Sequence, residues 1–177
     1  MSETASHPMQ IRLATPDDLP QMLAIYAHAR AFMSSHGNPR QWAARGWPPE
    51  ELIRQDIARR KSYVCVTDHV AGVFYFDVGP DIEPTYRVIR DGRWLSDTPY
   101  GVVHRIAADG SARGIGARCI DWAFEQCGHL RIDTHPDNTV MQNLLGKLGF
   151  IRCGIISIVE DDDPRLAYEK TSGSAAI

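Results

Sequence analysis

The residues best suited to chemistry lie between His104 and Arg118, where the sequence reads HRIAADGSARGIGAR. Gly114 and Gly116 stand at the start of a stretch that has the apolar spacing of a helix. The first turn of a helix has free backbone N–H groups and a partial positive charge, so it can bind phosphate oxygens. Glycines let a phosphate approach those N–H groups. The spacing therefore predicts a phosphate-binding turn, and a simple helix cap is the alternative.

The residues around the turn restrict the kind of phosphate ligand. The spacing differs from the GxGxxG fingerprint of dinucleotide sites, and no GK[ST] follows as in the phosphate loop of nucleotide hydrolases. Arg113 and Arg118 could add charge-assisted contacts to phosphate. These residues favour a phosphate-bearing cofactor other than a nicotinamide dinucleotide or ATP.

Two histidines near the turn are candidates for a general base, because the unperturbed pKa of histidine lies near neutral pH. His104 is the first choice, since it lies on the predicted strand that leads into the turn. His135, at the end of the next predicted strand, is the second choice. A structural role is the alternative for both. A metal site of His104, Asp133 and His135 is conceivable from the residue types, but the phosphate turn already explains the region, so no metal is predicted.

The alternation of side chains along the strand gives two further expectations. A period of two places His104, Ile106 and Ala108 on one face and Arg105 on the other. Arg105 could then form a structural ion pair with Asp133 across neighbouring strands.

The elements that must position these residues are strands interleaved with helices. Thr15-Pro16-Asp17-Asp18 combines a capping residue, a proline and two acidic residues, which predicts a helix start. The stretch 79–98 is predicted to be a long irregular connection or a small hairpin, and such segments often line a site. The apolar spacing predicts strands at 9–13, 63–66, 70–76, 101–108, 130–134, 151–159 and 166–169, with helices starting at 15 and spanning 48–61, 114–127 and 139–148. This order predicts a mixed α/β sheet with helices on both faces.

Length and composition limit the remaining possibilities. The 177 residues fit one domain, 1–177, whose ends at 1–8 and 171–177 are expected to fray. The net charge of −3 gives no electrostatic reason to expect nucleic acid or anionic lipid as a partner. The sequence has neither an apolar run of about 18 residues nor a secretion signal, so we expect a cytoplasmic protein without a membrane partner. The four cysteines follow no metal-ligand spacing and are interpreted as reduced core thiols.

From Val102 to Phe150 the sequence resembles the acetyl-CoA-binding core of the GNAT acetyltransferases. The glycine motif of that family is Gln or Arg, two residues, Gly, one residue, then Gly or Ala. Residues 111–116 match this motif, except that Ser111 replaces the Gln or Arg. Asn138 and the pair Gly149-Phe150 resemble the Asn that opens the family's next helix and the Gly-Phe that closes it. On these residues the chain is identified as a small bacterial-type member of the family.

The resemblance implies a fold and a set of contacts to acetyl-CoA. The central sheet would be mostly antiparallel, with helices on both faces. Backbone groups of Ile106 and Ala108 would hydrogen-bond the pantetheine arm, and Asn138 would contact the cofactor near its pantetheine end. The pyrophosphate would be held by backbone N–H groups of Arg113, Gly114, Ile115, Gly116 and Ala117.

The sequence departs from the family at the general acid. Many members place a tyrosine in the helix after the Asn, and the matching residue here is Leu145. Tyr168, in the last predicted strand, is the candidate replacement, and packing in the core is its alternative role. Because a thiol has an ordinary pKa of about 8.5, CoA can leave without an acid.

The function implied by the resemblance is transfer of acetyl from acetyl-CoA to a primary amine of a small molecule or peptide by direct attack. A non-catalytic acyl-CoA-binding module, favoured by Leu145, is the alternative, and a hydrolase or other phosphate-ligand enzyme is a third. The identity of the acceptor stays open, as does the choice between a monomer and a homodimer. Candidates to line the acceptor side are Phe32, Trp42, Trp47, Trp94, Glu83, Asp97 and the acidic run 160–163.

Overall fold

Strands and helices alternate along the chain in the computed structural model, which describes residues 8–159 and 161–173. The strands are β1 (Gln10–Leu13), β2 (Ser62–Val66), β3 (Val70–Gly79), β4 (Tyr100–Ala108), β5 (His129–Thr134), β6 (Ile151–Ser157) and β7 (Pro164–Thr171). The α-helices are α1 (Leu19–Ser35), α2 (Glu50–Ala58), α3 (Ile115–Cys127) and α4 (Thr139–Lys147). Short 3-10 helices occupy Pro16–Asp18, Ala43–Arg45 and Pro84–Tyr86.

The described strands form one sheet in the order β1-β2-β3-β4-β5-β7-β6. Every neighbouring pair is antiparallel except β4 and β5, which are parallel. Helices α1 and α2 cover one face, in a core layer that includes Met22 and Val73, and α3 and α4 cover the other, around Phe74, Ile120 and Leu145. Val73 and Phe74 are consecutive on β3, and neighbouring side chains of a strand point to opposite faces, so the same strand contributes to both core layers. The predicted fold class is confirmed.

The predicted strands and helices are all present, with ends that differ by a few residues. β3 continues to Gly79, while α2 already ends at Ala58 and β6 at Ser157. The prediction that 1–8 and 171–177 fray lies mostly outside the described residues. For Thr171 it is wrong, because this residue ends β7 opposite His129.

The first helix starts where the capping residues predict it. The Asp18 carboxylate accepts hydrogen bonds from the backbone N–H and the hydroxyl of Thr15, at 2.8 and 3.2 Å. Arg12 of β1 donates to the same carboxylate at 2.8 and 2.9 Å, and these bonds lower the pKa of Asp18. The turn between β1 and α1 is therefore fixed, and α1 packs over β3 and β4.

The long connection between β3 and β4 is held to the sheet by a buried ion cluster. Glu169 of β7 accepts hydrogen bonds from His129 and Arg131 of β5. It also accepts from the backbone N–H of Leu95 in the connection. Arg131 donates to the carbonyl of Ser96 at 2.6 Å. Glu169 and Arg131 are both buried, so their bonds to Leu95 and Ser96 hold the second half of the connection against the sheet. The first half contacts β4, because Glu83 binds His104.

Two expectations from composition can be compared with the structure. Cys65, Cys119 and Cys153 are buried free thiols and Cys127 is half-buried, as expected of core cysteines. Among the described residues, no helix has both the length and the apolar character needed to cross a membrane.

Candidate functional site

A β-bulge interrupts the second half of β4. Tyr75 of β3 lies opposite His104 and Val73 lies opposite Ala107, so two residues of β4 face a single residue of β3. Arg105, the first of the two, has a φ of +50°, in the left-handed region that non-glycine residues seldom adopt. Because a bulge inserts one residue, it bends the strand and shifts the alternation of side chains beyond it.

The bulge separates side chains that regular alternation would place together. Ile106 and Ala108 pack against the core layer of α3 and α4. His104 lies on the opposite face, where its ring is 5.8 Å from that of Tyr75 and 6.2 Å from that of Tyr86. The prediction that His104 shares a face with Ile106 and Ala108 is therefore wrong, because the inserted residue reverses the alternation.

Two helices hold Arg105 in its left-handed conformation. The hydroxyl of Tyr26 on α1 donates to the Arg105 carbonyl at 2.8 Å. The Arg105 guanidinium donates to the carboxylate of Asp56 on α2 at 2.9 Å and lies 4.6 Å from the ring centre of Tyr75. The predicted pair of Arg105 with Asp133 is wrong, because the bulge directs the guanidinium towards α2.

β4 and β5 part after a short parallel start. Their pairs, within the described chain, are Gly101 with Leu130 and Val102 with Arg131. Beyond Val102, β4 keeps β3 on one side, while the other edge borders two adjoining cavities. A strand edge that lacks a neighbouring strand can bind an extended ligand through its N–H and C=O groups.

The first of these, the apolar cavity, has a volume of about 240 Å³ and lies between α1, β4 and the starts of α3 and α4. Four of the predicted cofactor residues, namely Ile106, Ala108, Gly116 and Asn138, line it together. The other lining residues are His28, Ala29, Phe32, Met33, Ala107, Gly110, Val140, Met141 and Leu144. The open edge of β4 and the start of α3 thus border the same cavity.

The glycine turn leads into α3 at this cavity. Gly114 caps the helix with a φ of +82°, which favours glycine, and a Cβ there would meet no atom within 4 Å among the described residues. Arg113 is exposed beside it, whereas Arg118 forms an exposed ion pair with Glu125 at 3.3 Å. The first turn of α3 contains the predicted residues Ile115, Gly116 and Ala117. The sequence predicted a phosphate-binding turn, and the structure places the start of a helix, with its free backbone N–H groups, at this position beside the apolar cavity.

Asn138 lies where the two cavities meet. Its Oδ1 accepts a hydrogen bond from the backbone N–H of Met141 at 3.0 Å, which caps α4. Its Nδ2 donates to Oε1 of Gln41, also at 3.0 Å. Asn138 lines both cavities, as do Met33, Ile106 and Met141. Because they share these lining residues, the two cavities adjoin each other.

The second, the polar cavity, has a volume of about 160 Å³. Trp42 and Trp47, two of the aromatic candidates, line it, whereas Phe32 lines the apolar cavity. Trp94 lies elsewhere, with its ring 4.2 Å from the Arg131 guanidinium. The charged or titratable lining residues are Arg45, Glu83, His104, Arg105, Asp133 and Arg165.

His104 projects into the polar cavity and is oriented by a carboxylate. Its Nε2 is 2.7 Å from Oε2 of Glu83, so Nε2–H donates and the lone pair of Nδ1 is left for another partner. Nδ1 is 3.9 Å from Oδ2 of Asp133, which is too long for a direct hydrogen bond. Asp133 instead accepts from the hydroxyl of Tyr86 at 2.7 Å. A polar group in the cavity could therefore contact both Nδ1 of His104 and the carboxylate of Asp133.

Glu83 is ionised under all ordinary conditions. Its Oε1 accepts hydrogen bonds from the hydroxyl and the backbone N–H of Thr85, at 2.8 and 3.2 Å. Burial raises the pKa of Glu83, but the hydrogen bonds from His104 and Thr85 and the charge of His104 outweigh it, and the pKa falls to about 2. The sequence suggested Glu83 only as an acidic group on the acceptor side. Its contact with His104 had no signal, because the two lie on separate segments.

The other two predicted catalytic residues lie away from the cavities. His135 is buried, with Nε2 at 2.8 Å from Asp163 and Nδ1 accepting from the backbone N–H of Asp137 at 3.0 Å. Tyr168 packs with the core layer of α3 and α4, opposite Ile132 of β5. Neither side chain lines a described cavity. Both have the surroundings of structural residues.

Thr134 is a further polar residue of the polar cavity that the sequence did not indicate. Thr134 is the last residue of β5, is only 1% exposed and lines the cavity. Among the described residues its hydroxyl has no hydrogen-bond partner. Buried hydroxyls are normally paired, so this one is available to a ligand or a water molecule.

Comparison with known proteins identifies the family. No protein-family sequence model and no curated protein sequence matches the chain. The solved structure of a GNAT-family acetyltransferase from Streptococcus agalactiae is 32% identical, with a TM-score of 0.85, over 97% of this chain and 100% of that chain. The chain belongs to the GNAT family of acetyltransferases.

More distant structures share the GNAT fold. A GNAT-family acetyltransferase from Listeria monocytogenes has a TM-score of 0.66 at 18% identity, over 92% of this chain and 94% of that chain. The ribosomal-protein-S18-alanine N-acetyltransferase from Escherichia coli has a TM-score of 0.61 at 15% identity, over 96% of this chain and 97% of that chain. In this GNAT acetyltransferase, the bulged strand and its two cavities lie in the middle of the shared sheet.

Proposed function

We propose that this GNAT acetyltransferase moves acetyl from acetyl-CoA to a primary amine by direct attack. The observation that carries the proposal is the junction of two unlike cavities at the bulge of β4. The apolar cavity suits a long thioester arm, and the polar cavity suits an amine. The acyl group and the attacking nitrogen would meet near Ile106 and Asn138, which line both.

The donor would bind along the open edge of β4. Backbone groups of Ile106 and Ala108 would hydrogen-bond the pantetheine arm, while the side chains of Met141 and Leu144 offer apolar contact. The N–H groups at the start of α3, from Arg113 to Ala117, would bind the pyrophosphate with the help of the helix dipole. The exposed guanidinium of Arg113 would add positive charge.

The acceptor would be activated by His104. An alkyl amine with a pKa near 10.4 is neutral in fewer than about one molecule in a thousand at pH 7, so an attacking amine needs to lose a proton. With Nε2–H donated to Glu83, the lone pair of Nδ1 can take that proton, either directly or through a water molecule. The carboxylate of Asp133, on the other side of the gap, would attract the ammonium before its deprotonation.

The chemical step then has a simple balance. The ammonium gives one proton to His104, and the nitrogen lone pair attacks the carbonyl carbon of the thioester. The C–N bond forms, the C–S bond breaks, and its electron pair stays on sulfur. The nitrogen loses its second proton to the departing thiolate or to water. Because the thiol has an ordinary pKa of about 8.5, no tyrosine acid is required, and Leu145 is fully buried in the core without lining either cavity.

A non-catalytic acyl-CoA-binding module is the competing function. Such a module would need no general acid, which would explain why Leu145 stands at the position of the family's tyrosine, and it would use the apolar cavity to bind acyl-CoA. It would not require a histidine and carboxylate pair facing the adjoining polar cavity, and this pair favours an enzyme.

Two measurements on the wild-type protein test the proposal. CoA or acetyl-CoA at 100 times its dissociation constant should raise the unfolding temperature by about 5–11 °C, and ATP at the same concentration should not. Release of free thiol from acetyl-CoA should then depend on an added primary amine, with the acetylated amine as product. Absence of a shift with CoA compounds would refute donor binding. A shift without thiol release across a broad panel of amines would instead indicate the binding module.

A further inference from the structure

Gln41 belongs to a network of side-chain amides in which each oxygen and nitrogen can be assigned from its hydrogen bonds. It lies in the turn between α1 and the 3-10 helix Ala43–Arg45, and it is half-buried in the wall of the polar cavity. From this network we propose that the side-chain amide of Gln41 donates a hydrogen bond to the carbonyl oxygen of the acyl group during transfer. The inference rests on the proposed acetyl transfer and adds a catalytic residue to it.

The network is fixed at one end by a backbone group. The backbone N–H of Met141 can only donate, so the atom of Asn138 that it binds at 3.0 Å is the amide oxygen Oδ1. The other end of the Asn138 amide is therefore Nδ2, which donates to Gln41 at 3.0 Å. The atom of Gln41 in this contact must then be its acceptor, Oε1.

A second amide binds the same oxygen of Gln41. Nδ2 of Asn38 donates to Oε1 at 2.9 Å. Oε1 thus accepts two hydrogen bonds, and within the described part of the chain the Gln41 side chain makes no others. Its Nε2 keeps two N–H groups that no protein atom there accepts. Because Gln41 lines the polar cavity, these N–H groups are available to a ligand.

The turn holds Gln41 in place before any ligand binds. Asn38 is only 2% exposed, and its backbone N–H donates to the carbonyl of Met33 at 2.8 Å. On the other side of Gln41, Trp42 is buried with its ring centre 5.8 Å from that of Tyr26. A donor that is already oriented needs no reorganisation at the moment of reaction, which suits it to stabilise a developing charge.

The donor lies beside the proposed meeting point of the two substrates. Asn138, whose Nδ2 binds Gln41, lines both the polar and the apolar cavity, whereas Gln41 lines only the polar one. An acyl group that arrives through the apolar cavity and meets an amine in the polar cavity has to pass Asn138. Its carbonyl oxygen then comes next to the amide of Gln41.

Hydrogen-bonding chemistry selects this oxygen among the reacting groups. The ammonium form of the acceptor has no lone pair, and the neutral amine must direct its lone pair at the carbonyl carbon. The sulfur is a weak acceptor on the arm in the apolar cavity, which Gln41 does not line. As the C–N bond forms, the π electron pair of the carbonyl moves onto oxygen, where the N–H of Gln41 stabilises it. The pair returns when the C–S bond breaks, and Gln41 keeps its proton.

Two variants of similar size separate the donor from the acceptor of this amide. Gln41→Glu keeps an oxygen that can accept from Asn38 and Asn138 but has no N–H to donate. Gln41→Met loses both functions and adds no charge. Gln21→Glu, at an exposed position of α1, controls for the added charge.

The rate of acetyl transfer is measured in a single turnover, with the amine that supports the fastest thiol release by the wild-type protein. Both Gln41 variants should lower this rate by about 100- to 1,000-fold, the range found for loss of one such donor. The affinity of Gln41→Glu for CoA, which has no acyl carbonyl, should stay close to that of the wild type, as should its unfolding temperature. Gln41→Met should unfold at a lower temperature, because two buried amides lose their acceptor. Gln21→Glu should change none of these values.

Each contrary result overturns the inference in a different way. An unchanged rate in Gln41→Met would assign any loss in Gln41→Glu to its charge, and an unchanged rate in Gln41→Glu would leave the donor without a role. A rate in Gln41→Glu that falls together with CoA affinity would make Gln41 part of the donor-binding site. A rise in the KM of the amine alone would make it a contact of the acceptor. All of these results leave N-acetyl transfer intact, whereas a wild-type protein that acetylates no amine would refute the proposed function itself.

Discussion

His104 has one ring nitrogen bound to a carboxylate and the other directed to the polar cavity, which is the arrangement of an oriented base. Replacing it by asparagine should lower kcat by about 100- to 10,000-fold, the range found for loss of a general base. The KM for acetyl-CoA should change little, because His104 does not line the apolar cavity. Steady-state thiol release measures both. His36→Asn, at the exposed end of α1, is the control, and an unchanged kcat in His104→Asn would exclude the assignment.

The low pKa of Glu83 makes a prediction about stability and pH. A carboxylate whose pKa is about 2 in the folded state and about 4.3 when unfolded stabilises the fold fully above the unfolded value. That contribution disappears as the pH falls towards 2. Glu83→Gln should therefore lower the unfolding temperature more at pH 7 than at pH 3. Glu51→Gln, on the exposed face of α2, controls for the change in charge. An equal effect of Glu83→Gln at both pH values would contradict the lowered pKa of Glu83 in the folded protein.

Thr134 allows function and stability to be separated at one residue. Valine has the same shape without the hydroxyl, and loss of an unpaired buried hydroxyl removes a desolvation cost. Thr134→Val should leave the unfolding temperature equal or higher and lower kcat/KM about tenfold, because Thr134 lines the polar cavity and valine cannot hydrogen-bond an acceptor there. Thr85→Val gives the contrast, because its hydroxyl is bound to Glu83 and its loss should reduce stability. Unchanged kinetics in Thr134→Val would show that the hydroxyl contacts no reacting group.

At the scale of elements, local signals in the sequence placed the helix starts and the glycine turn correctly. Asn138 caps α4 through the N–H of Met141, three residues along the chain, and such short-range contacts are encoded where they act. The bulge of β4 had no local signal. Arg105 is kept in its left-handed conformation by Tyr26 and Asp56, which lie 79 and 49 residues away in sequence. A strict period of two consequently failed at this residue.

The glycine turn can be tested against a glycine of equal geometry. Gly114 and Gly37 have φ values of +82° and +80°, and at neither position would a Cβ meet an atom of the described residues within 4 Å. Alanine at either position should cost about 1–2 kcal/mol of stability, because both are left-handed. Only Gly114→Ala should also weaken CoA binding, since Gly114 is the N-cap of α3 in the proposed phosphate turn, whereas Gly37 follows the C-terminal end of α1. Titration calorimetry with CoA measures the difference, and equal affinities in the two variants would remove the phosphate role of the turn.

At the scale of the whole molecule, the site is assembled from segments that meet only in the folded sheet. His104 comes from β4 and Asp133 from β5, whereas Glu83 comes from the connection between β3 and β4. Arg165, which also lines the polar cavity, comes from β7. This explains why the sequence could suggest His104, Asp133 and Glu83 as candidates but could not predict the contact of His104 with Glu83: residues of separate segments have no fixed spacing. It also makes the site dependent on whatever fixes the connection to the sheet.

The buried cluster around Glu169 is that anchor, and its loss should affect the whole molecule. Glu169 is fully buried and binds His129, Arg131 and the backbone of Leu95. Glu169→Gln leaves the guanidinium of Arg131 without a counter-charge inside the protein, which typically costs about 3–5 kcal/mol. For a chain of this size the unfolding temperature should fall by about 6–20 °C.

A second glutamate that also pairs with an arginine provides the comparison for Glu169→Gln. Glu125→Gln removes the exposed pair with Arg118, and such surface pairs contribute about 0–1 kcal/mol. The contrast should extend to dynamics, because the N–H of Leu95 loses its carboxylate acceptor only in Glu169→Gln. Hydrogen exchange at 90–98 should therefore accelerate in that variant and stay unchanged in Glu125→Gln. Equal unfolding temperatures in the two variants would mean that the connection is held by its packing alone, and Glu83 would then stay beside His104 without the cluster.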